Sequence, residues 1–133
     1  MRLSNMADYA VVVMGAAARH CGGARTSATA LADETGIALP TVQKLVSILT
    51  KAGLLRSVRG AGGGIQLSRP AAAISLADIV EAVEGPIALT GCLTETRNHC
   101  SVGSDCVVKP HMSVVNNVVR GALAEISLVS LAR

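Results

Sequence analysis

Aromatic side chains are almost missing from this sequence: it has no phenylalanine, no tryptophan and a single tyrosine in 133 residues. Proteins that hold single-stranded nucleic acid stack its bases on aromatic rings, so that mode of binding is excluded. The core must come from Ala, Val, Leu and Ile, which assemble as helices and short strands. Charge is sparse as well, at 16% Asp, Glu, Lys and Arg, while 50% of the residues are hydrophobic and the mean hydropathy is +0.49. Such a chain does not stay disordered, and it leaves apolar surface for a partner to cover. The length supports one core and not two, which excludes a large multidomain enzyme.

Long apolar runs are lacking too. The longest, Tyr9 to Ala18, has ten residues, half of the ~20 that span a bilayer, so no membrane partner is expected. Arg2, that run and the small residues at its end resemble a signal peptide, but one positive charge and Asp8 beside the run argue against it. The expected compartment is therefore cytoplasmic. There, three of the four cysteines crowded into residues 92–106 read as metal or redox chemistry in place of structural disulfides. A nucleotide loop is absent: no Gly-Lys-Ser/Thr follows the glycines at 60–64, and Ile65 occupies the third glycine position of G-x-G-x-x-G.

Charge is unevenly placed. Residues 1–70 carry eight Lys or Arg against three acids, a balance of +5, whereas residues 71–133 carry four against six, or −2. A polyanion is the natural partner of the first half.

Residues 6–18, apolar nearly all round, predict a helix buried on more than one side. Ser27 caps a helix that ends at Gly36. A second opens at Pro40, sets Val42, Leu45, Val46 and Leu49 on one face, and stops near Gly53. Two such helices around a Gly-containing turn of four to five residues form a helix-turn-helix. Leu55–Val58 and Ile65–Leu67 flank the glycine run as a hairpin, a wing. Ser75 and Asp78 begin a helix to Glu84 in the manner of a capping box, and 87–107 reads as a loop. A last helix starts near Pro110, with Val108, Met112, Val115, Val119, Ala122, Ile126 and Val129 on a heptad-like seam. An ordinary core helix is the alternative, but residues 6–18 also need covering, which favours a homodimer. The predicted fold is mainly α with a small β-hairpin wing: a winged helix-turn-helix at 1–84, a cysteine loop at 85–107 and a long C-terminal dimerisation helix at 108–133.

A second helix of this kind enters the DNA major groove. Its exposed face offers Thr41, Gln43, Lys44 and Ser47; Gln pairs with adenine and Lys with the acceptors of guanine, while Arg56, Arg59 and Arg69 around the wing reach phosphate or the minor groove. Cys92, Cys100, Cys106 and His111 are separated by seven, five and four residues. Zinc knuckles use two to four between paired cysteines. The wider spacing suits an iron–sulfur cluster held by thiolates, with His111, His99 or an acid such as Asp8 donated across a dimer as the remaining ligand. Zinc, or a Cys100–Cys106 disulfide switch, is the rival reading; Cys21 reads as a packing thiol. No grouping suggests an enzyme, and a mere cluster carrier would leave the wing and the Gln43/Lys44 face without purpose.

Tyr9-Ala10, Ala52-Gly53-Leu54-Leu55-Arg56-Ser57, Arg59-Gly60 through Gly63-Gly64, Glu84-Gly85-Pro86-Ile87 and the three cysteines together resemble the Rrf-type (IscR-like) winged-helix regulators. Met1-Arg2-Leu3-Ser4 with Met6-Ala7-Asp8-Tyr9-Ala10, Ala88-Leu89-Thr90, and Ile126-Ser127-Leu128 resemble the branch that regulates SUF iron–sulfur cluster assembly. The resemblance covers essentially the whole chain. It implies a homodimeric cytoplasmic transcription factor whose cluster alters its binding to double-stranded DNA at SUF genes. Cys92, Cys100 and Cys106 fall on the family's ligand cysteines, His111 on the branch's histidine, and Asp8 resembles the cross-subunit acid of some four-iron members. Two departures stand out: the first cysteine spacing is longer than usual, and Met112 stands where the branch often has Trp. The resemblance favours a 2Fe–2S cluster, with 4Fe–4S as the alternative.

Overall fold

The computed structural model describes residues 2–20, 25–60, 63–93 and 106–132. Helix α1, Asn5–Arg19, starts at Ser4, whose hydroxyl accepts from the Ala7 N–H at 3.1 Å. It buries Ala7, Ala10, Val13, Met14 and Ala16 to Ala18 and touches four other helices and the hairpin. Alanines on a central helix let its neighbours approach closely, which is how a core without aromatic rings closes.

Helix α2, Ala28–Thr35, is capped by Ser27, which accepts from the Ala30 N–H at 3.0 Å. It ends at Gly36, whose φ of 76° lies in the left-handed region that glycine adopts without strain. Helix α3, Leu39–Lys51, follows after residues 36–38. The turn is thus shorter than the sequence suggested, because Leu39 is already helical. Val42, Leu45 and Leu49 bury the inner face of α3. A surface clasp ties α1 to α2: Glu34 accepts from Arg19 Nε at 3.0 Å and lies 2.9 Å from His20 Nε2. His20 first, and Arg19 second, hold the Glu34 carboxyl below the usual carboxylate range. The clasp's contribution is therefore present above that range and lost as pH falls through the lowered value.

Strands β1, Leu55–Val58, and β2, Gly64–Leu67, pair antiparallel from Leu55↔Leu67 to Val58↔Gly64. The tip glycines answer to space: a Cβ on Gly63 would sit 2.3 Å from the Val58 carbonyl, and one on Gly64 2.5 Å from the Thr26 carbonyl. The second clash reflects a contact that no local pattern predicts. Thr26 joins the hairpin at Ile65, with N–H to carbonyl distances of 2.9 and 2.7 Å.

Helix α4, Leu76–Glu84, carries the complete capping box: the Ser75 N–H donates to Asp78 Oδ2 at 2.9 Å and the Asp78 N–H to Ser75 Oγ at 3.1 Å. A 3-10 turn, Gly91–Leu93, lies inside the predicted loop. Helix α5, Lys109–Ala124, is then separated from a short α6, Leu128–Leu131. The seam expected to run unbroken to Val129 therefore stops at Ala124. Ser127 starts a new helix as its cap, and the chain turns back onto the winged body, where Leu76 N–H reaches the Ile126 carbonyl and Leu128 N–H the Ile74 carbonyl, both at 2.8 Å. Leu128 is fully buried. Leu128→Ala should cost about 2–5 kcal/mol by lost burial and cavity formation, read as a lower denaturant midpoint at unchanged slope; an unchanged midpoint would remove α6 from the core.

Candidate functional site

On α3 the buried residues leave one continuous opposite stripe. Gln43, Lys44 and Ser47 are exposed on it, Thr41 is half-buried at its edge, and the structure adds Lys51, one turn beyond Ser47. Its sequence signal was the i, i+7 relation to Lys44. The wing arginines differ among themselves. Arg56 faces Gln66 across the hairpin and, with the amide oxygen turned inward, donates Nε and Nη2 to it at 2.6 and 2.5 Å. Arg69 sits 3.7 Å from Asp78 Oδ2, so part of its charge is spent on the α4 cap. Arg59 is exposed beside the tip. The Thr26 bridge also brings Arg25 against β2. Arg25 was passed over in the sequence because only the long-range bridge puts it there.

Of the proposed ligands, Cys92 and Cys106 are half-buried free thiols, and Cys92 Sγ lies 3.1 Å from Thr90 Oγ1. Cys100 and His99 lie outside the described residues, as does Cys21. His111 is exposed in the first turn of α5, and Asp8 in the first turn of α1. Among the described residues no three His, Cys, Asp or Glu side chains converge. The structure thus brings a thiol to each end of the segment 93–105, which joins the winged body to α5. No helix among the described residues is long and apolar enough to cross a membrane.

The profile of the Rrf2 family, described as an iron-dependent transcriptional regulator, matches residues 3–133. The chain belongs to the Rrf2 family of transcriptional regulators. It is 33% identical over 131 residues to the HTH-type transcriptional regulator IscR of Photorhabdus laumondii, covering 98% of this chain and 79% of that one. Its fold is similar to that of CymR, the global cysteine regulator of B. subtilis, with a TM-score of 0.77 at 26% identity over 99% of this chain and 96% of the other. T. potens IscR gives a TM-score of 0.73 at 29% identity, over 98% and 85%. The helix-turn-helix and hairpin described above are accordingly the winged helix of an Rrf2 DNA-binding regulator.

In this Rrf2 chain α5 presents two faces. Met112, Asn116, Val119 and Leu123 turn inward, with Asn116 buried and the others half-buried. Val107, Val114 and Val118 are 83%, 63% and 66% exposed, with Val108 and Val115 beside them. The exposed stripe is thus rotated from the predicted seam by about one residue, because Asn116, which that seam did not include, lies on the inner face. Asn116 and Glu81 were missed as site residues, although the Asn116-Asn117 pair between Met112 and Val119 was a visible polar break in the apolar pattern.

Proposed function

We propose that this chain is a homodimeric, cytoplasmic regulator whose cysteines carry an iron–sulfur cluster and whose cluster state sets its affinity for operators of SUF-type cluster-assembly genes. The observation that carries this reading is the pair of half-buried free thiols, Cys92 and Cys106, on either side of the connection between the winged body and α5. Soft thiolates in sheltered positions fit a cluster's iron. Cys92, Cys100 and Cys106 would hold it, with His111 or the partner subunit's Asp8 as the fourth ligand, and 2Fe–2S is favoured over 4Fe–4S. When bound, such a cluster supplies a redox- and iron-responsive crosslink. The protein's own residues do the rest: Thr90 lies beside the Cys92 thiol, the exposed valines of α5 join two copies, and α3 reads the groove. Functionally, residues 1–84 serve DNA, 85–107 the cluster and 108–133 the dimer, with 126–132 returning to the winged body.

Absorption of the anaerobically purified protein, with iron and sulfide assays, tests the cluster. A colourless protein holding zinc, or a reversible Cys100–Cys106 disulfide, would replace this reading with the thiol-based one. Anaerobic footprinting on the gene's own upstream region tests the operator.

The DNA face makes its own prediction. Gln43→Ala and Lys44→Ala should relax sequence preference, since both stand on the groove-facing stripe. Arg59→Ala should weaken binding to all sequences alike and lower the salt slope by ~1, as expected for one phosphate contact. Titrations of operator and scrambled duplex across a salt series distinguish the two patterns, and unchanged binding in all three variants would remove this surface.

A further inference from the structure

The six residues Gly85 to Thr90, which lead from α4 to the first cysteine, are gripped from two sides. From α4, Glu81 Oε2 accepts from the Ile87 N–H at 3.0 Å. The other oxygen of that carboxylate accepts from Arg120 of α5, from Nη2 at 2.7 Å and Nε at 3.1 Å. From α5, Asn116 Nδ2 donates to the Ile87 carbonyl at 3.0 Å, and its Oδ1 accepts from the Leu89 N–H at 2.8 Å. Ile87 therefore has its N–H held by one helix and its carbonyl by the other. Immediately after Leu89, a hydroxyl–thiol contact joins Thr90 to Cys92.

Asparagine is a poor helix former, and burying an amide is costly unless its donors and acceptor are met. At 9% exposure, Asn116 meets both needs by reading two backbone groups in the way a neighbouring strand would. Asp would lack the donor, and an apolar side chain would leave the Ile87 carbonyl and the Leu89 N–H unpaired. Packing alone therefore does not explain the residue. Backbone hydrogen bonds tie the chain around 126–128 to 74–76, at the far end of α4; at the end nearest the cysteines the clasp ties α4 to α5, while Ser4 N–H, donating to Glu84 Oε1 at 3.0 Å, ties that end to α1.

We propose that Asn116 and Glu81 are positioning residues through which the condition of Cys92 sets the placement of α4 against α5, and so the spacing of the two DNA-reading helices of a dimer. The proposal rests on the sensing function above and names the route by which it acts. Neither residue lies on α3 or the wing, and among the described residues neither hydrogen-bonds to a cysteine.

The test uses the full-length anaerobically purified protein as wild type, Cys92→Ala, Asn116→Ala and the double variant, followed by amide hydrogen exchange in residues 76–84 and by operator affinity. Cys92→Ala should change exchange in α4 by at least ~5-fold, the lower end of coupling between linked sites, and Asn116→Ala should abolish that response while leaving the dimer intact. Glu81→Gln, at a partly accessible carboxylate, repeats the test without emptying a buried position, and carries it if Asn116→Ala fails to fold. An α4 response absent from the wild type, or equal in wild type and clasp variants, overturns the proposal. A response routed through the clasp with operator affinity indifferent to Cys92 upholds the clasp and rejects the sensing function instead.

Discussion

Val118→Glu is expected to turn the dimer into a folded monomer and to weaken operator binding by roughly 100-fold or more, as two half-sites lose the advantage of being bound together. Val118 is 66% exposed in the single chain, and Val114, one turn earlier, is 63% exposed. A glutamate there costs the monomer little, since surface changes away from special contacts stay within about 0.5 kcal/mol. In a dimer the same carboxylate would enter an apolar seam without a partner, where an uncompensated charge costs several kcal/mol. Val119→Glu is the contrasting variant: its side chain is half-buried on the inner face beside Asn116, so it should lower the thermal midpoint as well. Sedimentation at micromolar concentration reads the outcome. A wild-type monomer, or a Val118→Glu dimer as tight as wild type, would show that another surface joins the chains.

The phase of α5 shows where sequence reading stops. Ser27, Ser75 and Gly36 mark helix ends through bonds to residues three or four positions away, so two helix starts and a stop can be read locally; Ser4 caps α1 by a bond of the same kind, though the reading of that helix rests on its apolar run alone. The wing was legible for the same reason, through alternating strand residues around a glycine tip. The break at Ala124 was not. Ser127 caps α6 by a local bond of the same kind, accepting from the Ser130 N–H at 3.4 Å, but the break is held by the pairing of residues 126–128 with 74–76 across the molecule, and a heptad count cannot see a partner so far away in sequence. The rotation of the α5 stripe has the same cause, since Asn116 is satisfied by backbone groups 27 and 29 residues earlier.

The exposed stripe proposed to read DNA was legible as a stripe because Gln43, Lys44 and Ser47 stand opposite three buried residues of one helix. Counting arginines around the wing was less informative, because charge says nothing of prior engagement. Arg56 is held by Gln66 and Arg69 leans on Asp78, which makes Arg59 the better candidate of the three for the proposed phosphate contact. For the cysteines, spacing pointed to a shared task, and the structure adds only that Cys92 and Cys106 are half-buried on the two sides of one connection.

Replacing Cys92, Cys100 and Cys106 together by alanine should leave the protein folded and dimeric, remove any chromophore, and change operator affinity by roughly 5- to 150-fold, the range typical of coupled sites. Folding should survive because Cys92 and Cys106 lie outside the buried core formed by α1 to α4, the hairpin and α6, and the dimer because the exposed valines of α5 do not depend on them. From sequence alone, ligand loss would free both ends of the connection. The structure narrows that: Glu81 and Asn116 hold residues 87–89 from α4 and α5 without any cysteine. The winged body should therefore not swing free. It should shift by the small amount that the clasp transmits, enough to alter how two recognition helices meet half-sites one helical turn apart. Base contacts would be unchanged, so Gln43→Ala should relax specificity to the same extent in both cysteine backgrounds. Equal affinity of the triple variant and the cluster-bearing protein for one operator at matched salt would make the cysteines a structural staple, and sensing would have to be sought elsewhere in the chain.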